Sequence, residues 1–196
     1  MSGPNEATDF SAGTVPVVAL AEYEGKGGAW GRPAWVVAAW LFVEWALVTN
    51  PLQISSRVRV AALRVFGATI GDNVIFRPRT RVKAPWKLTI GDDCWIGEGV
   101  WFHNQDEIVV ENDCVISQDT FLTTGSHRHR DKMQLITAPI LIRSGVWITA
   151  RCVVTGGSKV GVSALVSPMT VVRGHVPANA VVAGSPAAVV GQRFES

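Results

Sequence analysis

The chain has 196 residues, of which 47 per cent are hydrophobic and 17 per cent are charged. This length and composition allow a sizeable buried core and exclude a chain that is disordered throughout. The formal net charge is +2 and the charges are scattered, so the concentrated basic face that binds nucleic acid is not expected. The first thirty or so residues lack a basic start followed by an apolar core, so no secretory signal is predicted and a cytoplasmic location is expected.

Two segments precede the most regular part of the sequence. Residues 1–33 are polar, glycine-containing and irregular, and they are predicted to form a flexible arm. Residues 34–67 are predicted to be a helical segment. Its first half, residues 34–48, is apolar but shorter than the ~20 residues that cross a hydrocarbon core, and it contains Glu44. A packed helix is therefore the preferred interpretation, and a helix lying on a membrane surface is the alternative. A second helix is predicted at residues 56–66.

A large apolar residue then recurs at every sixth position, with short slips in the count. A period of six fits neither an α-helix, whose period is 3.6, nor a simple strand, whose period is two. The residue four positions after each apolar one is usually small or β-branched, as a second inward position would be. Short parallel strands wound into a solenoid satisfy both observations, with coils stacked at ~4.8 Å. The apolar positions are Ile70, Phe76, Val82, Leu88, Ile90, Ile96, Phe102, Ile108, Val110, Ile116, Leu122, Ile142, Ile148, Val154, Val160, Val166 and Val172.

The three cysteines follow the same register. Cys94, Cys114 and Cys152 each lie four positions after an apolar residue of the repeat, so all three are predicted to point into the solenoid. A role as small buried hydrophobes is favoured over a catalytic thiol or a metal cluster. The four histidines have no ligand-type spacing on one element, so no metal site is expected.

The repeat is interrupted by "TTGSHRHR", residues 123–130, and resumes at Ile142. Side chains of a regular coil lie in the core or at corners, so chemistry needs a place where the chain leaves the coil. The excursion is predicted at residues 126–139, and Gly125 is expected to allow the turn. His127 and His129 are its candidate reactive residues.

Several motifs together resemble the hexapeptide-repeat acyltransferases: "IGDNVIF", "IGDDCWIGEGVW", "SKVGVSALVSPMTVV" and "VPANAVVAGSPA". The stretches "PWKLTIGDDCWIGEGVWFHN" and "APILIRSGVWITA" are most similar to the colanic-acid-biosynthesis type of sugar O-acetyltransferase. The resemblance implies a mainly β fold, with a left-handed parallel β-helix of three hexads per coil at residues 68–190 and a tail at residues 191–196. It also implies a homotrimer whose active sites lie between neighbouring helices.

The same resemblance implies an activity. Members transfer an acetyl group from acetyl-CoA to a hydroxyl of a sugar or a polysaccharide precursor. His127 aligns with the general base of the family, and histidine suits this task because its unperturbed pKa is ~6.5. His129 lies further out, where an exposed loop residue is the simpler interpretation. Direct transfer in a ternary complex is expected, since no serine or cysteine nucleophile lies beside a base.

Four residues are candidates for binding the acceptor. Asn104 aligns with a polar family residue on the acceptor side, and a corner asparagine is the alternative. Asp106 falls at an inward-type position, where its carboxylate would be buried without a partner. The chain is therefore expected to deviate there, with Asp106 facing the acceptor. Trp86 and Trp101 are expected either to stack on a sugar ring or to pack between subunits.

Four others are candidates for binding the donor. The resemblance places Trp147 and Ala150, in "GVWITA", beside the pantetheine arm of coenzyme A. Arg173 and Arg193 are expected to serve its 3′-phosphate because they are cationic and close to the matching segment. The chain departs from the family at two positions where a basic residue is usual, Gly174 and Ala188.

Two other functions remain open at this point. One is an acetyltransferase with a non-sugar acceptor, such as an antibiotic, and the other is a non-catalytic assembly protein whose excursion builds the trimer. The intact "TTGSH" favours catalysis, whereas the two missing basic residues count against a standard donor site. The apolar helix also leaves open a peripheral association with the inner face of a membrane.

Overall fold

The computed structural model describes residues 17–18, 20–22, 30–130 and 132–195. Most of the predicted flexible arm, residues 1–33, therefore lies outside the described residues. The described part contains a short 3₁₀ turn at Leu20–Glu22, a pair of helices and a long series of short strands. The strands form a parallel β-helix, so the mainly β solenoid predicted from the six-residue period is confirmed.

The helical pair lies at the start of the solenoid. Helix α1, Ala34–Val43, continues as a π-helical turn at Glu44–Thr49, and helix α2 spans Ser56–Val65. Trp40 is fully buried, and its indole N–H donates to the carbonyl of Val82 at 2.8 Å. The Glu44 carboxylate accepts the Val82 N–H at 2.7 Å. These two bonds satisfy a strand edge that would otherwise be exposed.

Three parallel sheets form the sides of the solenoid, here called A, B and C. Sheet A consists of β1 Thr69–Ile70, β4 Leu88–Ile90, β7 Ile108–Val110, β12 Ile140–Ile142, β15 Lys159–Val160 and β18 His175–Val176. Sheet B consists of β2 Ile75–Phe76, β5 Trp95–Ile96, β8 Val115–Ile116, β13 Trp147–Ile148, β16 Leu165–Val166 and β19 Ala180–Ala183, closed by the antiparallel β20 Ala188–Gln192. Sheet C consists of β3 Arg81–Val82, β6 Trp101–His103, β9 Phe121–Thr123, β14 Val153–Thr155 and β17 Val171–Val172.

The apolar residues of the six-residue period form the core. Every one of the predicted positions is buried, the most accessible being Ile70 at 6%. Cys94, Cys114 and Cys152 are fully buried free thiols, which confirms the predicted inward register. Burial raises the pKa of the Cys152 thiol, so this side chain is the weakly acidic, unreactive kind expected of a core cysteine.

The corners between sheets A and B repeat from coil to coil. The backbone N–H of Asp72 donates to the Asp92 carboxylate at 2.7 Å, and the Asp92 N–H donates to the Asn112 side chain at 3.0 Å. Asn73 and Asp93 both have a φ of 56°, a left-handed conformation that Asn and Asp tolerate better than most residues. The Asp and Asn residues that follow glycine in the repeat therefore make the tight corners of the solenoid.

The connections from sheet C back to sheet A differ in every coil and are called the variable corner. They span residues 83–87, 104–107, 124–139, 156–158 and 173–174. The longest one contains the predicted excursion, which forms an antiparallel hairpin of β10, Gly125–His127, and β11, Leu135–Thr137. The variable corner is thus the part of the solenoid where side chains are not fixed by the repeat.

Candidate active site

His127 ends the first strand of the hairpin and is exposed. Its ring Nδ1 lies 2.7 Å from the carbonyl oxygen of Met133, on the opposite side of the hairpin turn. A carbonyl only accepts, so Nδ1 carries the proton and Nε2 is the basic nitrogen. The Arg128 N–H donates to the Gln134 carbonyl at 3.0 Å and extends the pairing past His127. His127 is therefore oriented by backbone contacts, whereas His129 lies beyond them and is exposed.

Gly125 is needed for a different reason from the one predicted. Gly125 does not adopt a left-handed φ, so the turn does not require the conformational freedom of a glycine. A Cβ at this position would lie against the side-chain oxygen of Gln105, in the preceding coil. The requirement is therefore space, because the hairpin leaves the solenoid directly over Gln105.

A groove of about 490 Å³ runs along the base of the hairpin. Ser126 and Ile136 line it from the hairpin, while Thr155, Gly156 and Arg173 line it from the two following coils. His127 is not among its lining residues. In a strand, neighbouring side chains face opposite sides, so His127 and Ser126 are directed away from each other. The chain thus has an oriented histidine beside a groove into which that histidine does not project.

Asn104 and Asp106 lie one coil earlier at the variable corner. Asn104 is fully buried: its amide group donates to the carbonyls of Ala84 and Lys87 at 2.6 and 3.1 Å, and its oxygen accepts the Ala84 N–H at 3.0 Å. These surroundings favour the corner role over the predicted contact with an acceptor. Asp106 is half-buried rather than inward, as expected of a chain that deviates from the repeat, and its N–H donates to the Thr124 hydroxyl at 2.8 Å.

The two tryptophans predicted at the acceptor site are engaged within the chain. The indole N–H of Trp86 donates to the Trp30 carbonyl at 2.6 Å, and the two rings lie 6.4 Å apart. Trp86 therefore anchors the end of the N-terminal arm. Trp101 lies on the outer side of sheet C, with the guanidinium of Arg81 4.0 Å from its ring centre and Phe121 4.8 Å away.

A polar row that sequence reasoning did not single out runs along the edge of sheet C. The ammonium group of Lys83 lies 3.4 Å from Nε2 of His103, and Nδ1 of His103 lies 3.2 Å from the Thr123 hydroxyl. Burial lowers the pKa of His103, and the positive charges of Lys83 and Arg81 lower it further, so the ring is neutral at pH 7. The sequence does contain a signal for this row: each of its three residues directly follows an apolar repeat residue of sheet C.

The predicted donor residues lie on different parts of the chain surface. Trp147 is an outward residue of sheet B whose indole N–H donates to the Ser117 hydroxyl at 3.0 Å, and Ala150 follows at the corner between sheets B and C. Arg173 lies at the variable corner. Arg193 is bound at the corner between sheets A and B, where its guanidinium donates to the Gly145 carbonyl at 2.7 Å. One chain therefore does not bring these four residues together.

No cluster of three or more histidine, cysteine, aspartate or glutamate side chains suited to a metal ion occurs within the described ranges. The described helices are likewise too short or too polar for any of them to cross a membrane.

Comparison with known proteins gives the family. A protein of Escherichia coli K12 named as the colanic acid biosynthesis acetyltransferase WcaF is 39% identical over 145 residues, which cover 74% of this chain and 80% of that protein. The fold matches the hexapeptide-repeat acetyltransferase VCA0836 of Vibrio cholerae, solved with acetyl coenzyme A, with a TM-score of 0.74, 22% identity, and coverage of 82% and 88% of the two chains. It also matches a galactoside acetyltransferase solved with coenzyme A, with a TM-score of 0.69, 17% identity and 81% of each chain covered. No family model matches the sequence.

The degree and extent of the similarity to WcaF establish membership. This chain belongs to the hexapeptide-repeat acetyltransferase family, which confirms the resemblance inferred from the motifs.

Proposed function

We propose that this protein is an acetyl-CoA-dependent O-acetyltransferase acting on a hydroxyl of a sugar or of a polysaccharide precursor. Membership of a family whose 39% identical relative is named for colanic acid biosynthesis supports both the reaction and the acceptor class. Solved structures of the same fold contain acetyl coenzyme A or coenzyme A, which supports the donor. An antibiotic-like acceptor and a non-catalytic assembly role are the competing outcomes of the test.

The observation that carries the proposal is the orientation of His127. With its Nδ1 proton bonded to the Met133 carbonyl, Nε2 accepts the proton of the acceptor hydroxyl. The hydroxyl oxygen forms a bond to the thioester carbonyl carbon, and the resulting tetrahedral oxyanion collapses by breaking the carbon–sulfur bond. The imidazolium then returns its proton to the leaving thiolate. The three cysteines are fully buried, which argues against an acetyl-cysteine intermediate.

The site is proposed to be completed by a second chain in a homotrimer. His127 is exposed and does not line the groove of its own chain, while Ala150 lies at another corner of the solenoid. A neighbouring solenoid packed beside the hairpin brings its own sheet B–C corner toward His127. The donor arm then lies between the two chains, along Trp147 and Ala150 of the neighbour, with Arg173 or Arg193 near the nucleotide.

The location is proposed to be cytoplasmic, with peripheral association at the inner face of a membrane through α1. The outward face of this helix and of the π-helical turn that continues it is apolar and aromatic: Trp35, Phe42 and Trp45 are each at least 66% exposed. The exposed charges nearest to this helix in sequence are Arg32 and Arg57, and both are positive. Aromatic faces flanked by cations are typical of helices that lie on anionic lipid surfaces.

The proposal is tested by following release of the coenzyme A thiol from acetyl-CoA with a panel of sugars, glycosides, amino sugars and aminoglycosides. We expect turnover with a sugar hydroxyl and an O-acetyl product by mass spectrometry. Exclusive transfer to an amine, or no transfer to any acceptor, contradicts the proposed reaction. Light scattering is expected to give three times the 21.1 kDa mass of one chain, and a monomeric mass contradicts the shared site.

A further inference from the structure

The outer side of sheet C has an unusual distribution of charge. Its outward positions carry aromatic, hydroxyl, aliphatic and cationic side chains but no acidic one. Cations lie at both ends, and the aromatic residues lie next to the first-coil end. In coil order the strand positions are Arg81, Trp101 and His103, Phe121 and Thr123, Val153 and Thr155, and Val171, and the residues directly after the first and last strands are Lys83 and Arg173.

Lys83 is half-buried at the first-coil end of this side. Its ammonium group contacts Nε2 of His103 at 3.4 Å and lies 5.2 Å from the centre of the Trp30 ring. Burial lowers the pKa of Lys83, as expected for a cation partly removed from water. The ion pairs found among the described residues use other cations: Arg64 with Asp72, Arg79 with Glu98, Arg143 with Glu111, and Arg151 with Asp119.

Arg81 adds a second cation beside Lys83. Its guanidinium lies over the ring of Trp101, which fixes it by a cation–π contact. Glu44 is close enough for the charge of Arg81 to act on it, but burial dominates and raises the pKa of Glu44. One carboxylate oxygen of Glu44 also accepts the Val82 N–H. The carboxyl group of Glu44, which faces Arg81, is thus already engaged with the backbone.

Arg81 and Lys83 lie far from the part of the solenoid where the nucleotide of the donor is expected to bind. Lys83 lies two coils from Thr123, the residue before the hairpin connection, which is ~10 Å at ~4.8 Å per strand. Arg173 lies four coils away, or ~19 Å. Through His103 and Thr123 the polar row leads from Lys83 toward the hairpin that carries His127. The cations therefore lie on the acceptor side of the site proposed above.

We propose that Arg81 and Lys83 form an anion-binding subsite, with Trp101 as its aromatic wall, for a negatively charged group of the acceptor glycan. The chemistry shared by the candidate ligands is an oxyanion on a sugar, either the carboxylate of a uronic acid or a phosphate ester. The cations neutralise and donate hydrogen bonds to this group while the acetylated hydroxyl lies toward the hairpin. The subsite deepens the proposed function and rests on it.

The test compares acceptors that differ in one group. Methyl glucuronide, methyl glucoside and glucose 1-phosphate are offered to the full-length protein with acetyl-CoA, and kcat/KM is measured for each. We expect wild type to favour one of the anionic acceptors over the glucoside by about tenfold or more, the effect of a charge-assisted hydrogen bond. Which anion is preferred distinguishes a uronate from a phosphate. The preference is expected to fall with rising salt.

Lys83→Gln and Arg81→Gln are each expected to reduce that preference by about tenfold. Arg79→Gln is the matched control, because Arg79 is an exposed cation of the same coil that pairs with Glu98 at another corner. It should leave the preference unchanged. A wild type that favours the neutral glucoside, or a Lys83→Gln variant that keeps the full anionic preference, overturns the subsite.

A binding experiment separates failure of the subsite from failure of the proposed reaction. Calorimetry with methyl glucuronide, glucose 1-phosphate and methyl glucoside needs no turnover. If none is acetylated, tighter binding of an anion by wild type than by Lys83→Gln still supports the subsite, and equal binding overturns it. A Lys83→Gln variant with altered mass in light scattering and an unchanged anionic preference identifies this side as a subunit contact, which also overturns the proposal.

Discussion

The A–B corners and the variable corner both turn the chain from one sheet to the next, but they do so in opposite ways. At the A–B corners the backbone of each coil donates hydrogen bonds to polar side chains of the next coil, as in the bonds that link Asp72, Asp92 and Asn112. Their polar groups are satisfied by neighbouring coils. At the variable corner every connection has its own length, and it carries a hairpin and a groove next to the polar row of sheet C. In the regular corners the polar side chains are already used in hydrogen bonds between coils. Side chains that can react with a substrate are therefore expected where the repeat is interrupted.

Two glycines express the same difference. A Cβ on Gly91, at an A–B corner, would lie 2.9 Å from the backbone nitrogen of Asn112 and 3.0 Å from the carbonyl carbon of Glu111. The three atoms nearest to a Cβ on Gly125 all belong to the side chain of Gln105. Backbone atoms of a stacked coil cannot move without shifting the coil, whereas a side chain can rotate away. The A–B corner is therefore rigid at Gly91, whereas the variable corner tolerates change at Gly125.

The largest expected effect is on catalysis at the variable corner. His127→Ala is expected to lower kcat by ~10²–10⁴, because a general base contributes about that much to the rate. Binding of coenzyme A should change little, since the imidazole acts on the acceptor proton.

His129→Ala is the matched control for His127→Ala, since it removes a neighbouring imidazole from the same hairpin. It should lose far less activity. Turnover near the wild-type value in His127→Ala would show that the base lies elsewhere. Loss of the trimer or of the folded state in that variant would assign His127 to assembly instead.

The next effect concerns the rigid corner. Gly91→Ala is expected to lower the free energy of unfolding by about 1–3 kcal/mol, the usual cost of overpacking a site that cannot relax. Gly125→Ala should cost less than 1 kcal/mol and leave kcat close to the wild-type value, because Gln105 can rotate away without shifting the hairpin. Chemical denaturation and acetyl transfer measured on both variants check this. Equal losses of stability at the two positions would remove the distinction between rigid and variable corners.

Asn104 provides a similar test inside the variable corner. Asn104→Ala leaves the buried N–H of Ala84 without its acceptor and removes the amide that donates to the carbonyls of Ala84 and Lys87, which is expected to cost about 1–3 kcal/mol. If Asn104→Ala instead raised only KM for the acceptor and left thermal stability unchanged, the result would support the direct contact with the acceptor that the sequence predicts.

The sequence predicts the fold well because the six-residue period encodes contacts that recur with one register. It therefore locates the core, the inward cysteines and the place where the chain leaves the coil. It predicts the surroundings of single corner residues poorly, because those contacts join different coils. The burial of Asn104 depends on carbonyls 17 and 20 residues away, and Trp86 meets Trp30 across 56 residues. Arg173 and Arg193 both looked suitable for the donor, but they lie at different corners.

The smallest expected effect concerns the two positions where the family usually has a basic residue. Ala188 is exposed on β20, so Ala188→Arg adds a cation without disturbing the core. An exposed ion pair is worth ~0.2–1 kcal/mol, so coenzyme A should bind up to about fivefold more tightly, measured by calorimetry. The gain should vanish with dephospho-coenzyme A, which lacks the 3′-phosphate, and with the uncharged Ala188→Gln. Gly174→Lys should not give the same benefit, because Gly174 has a φ of 86° and a side chain there is strained. An equal gain with dephospho-coenzyme A would place the nucleotide elsewhere and leave the variable corner to the acceptor alone.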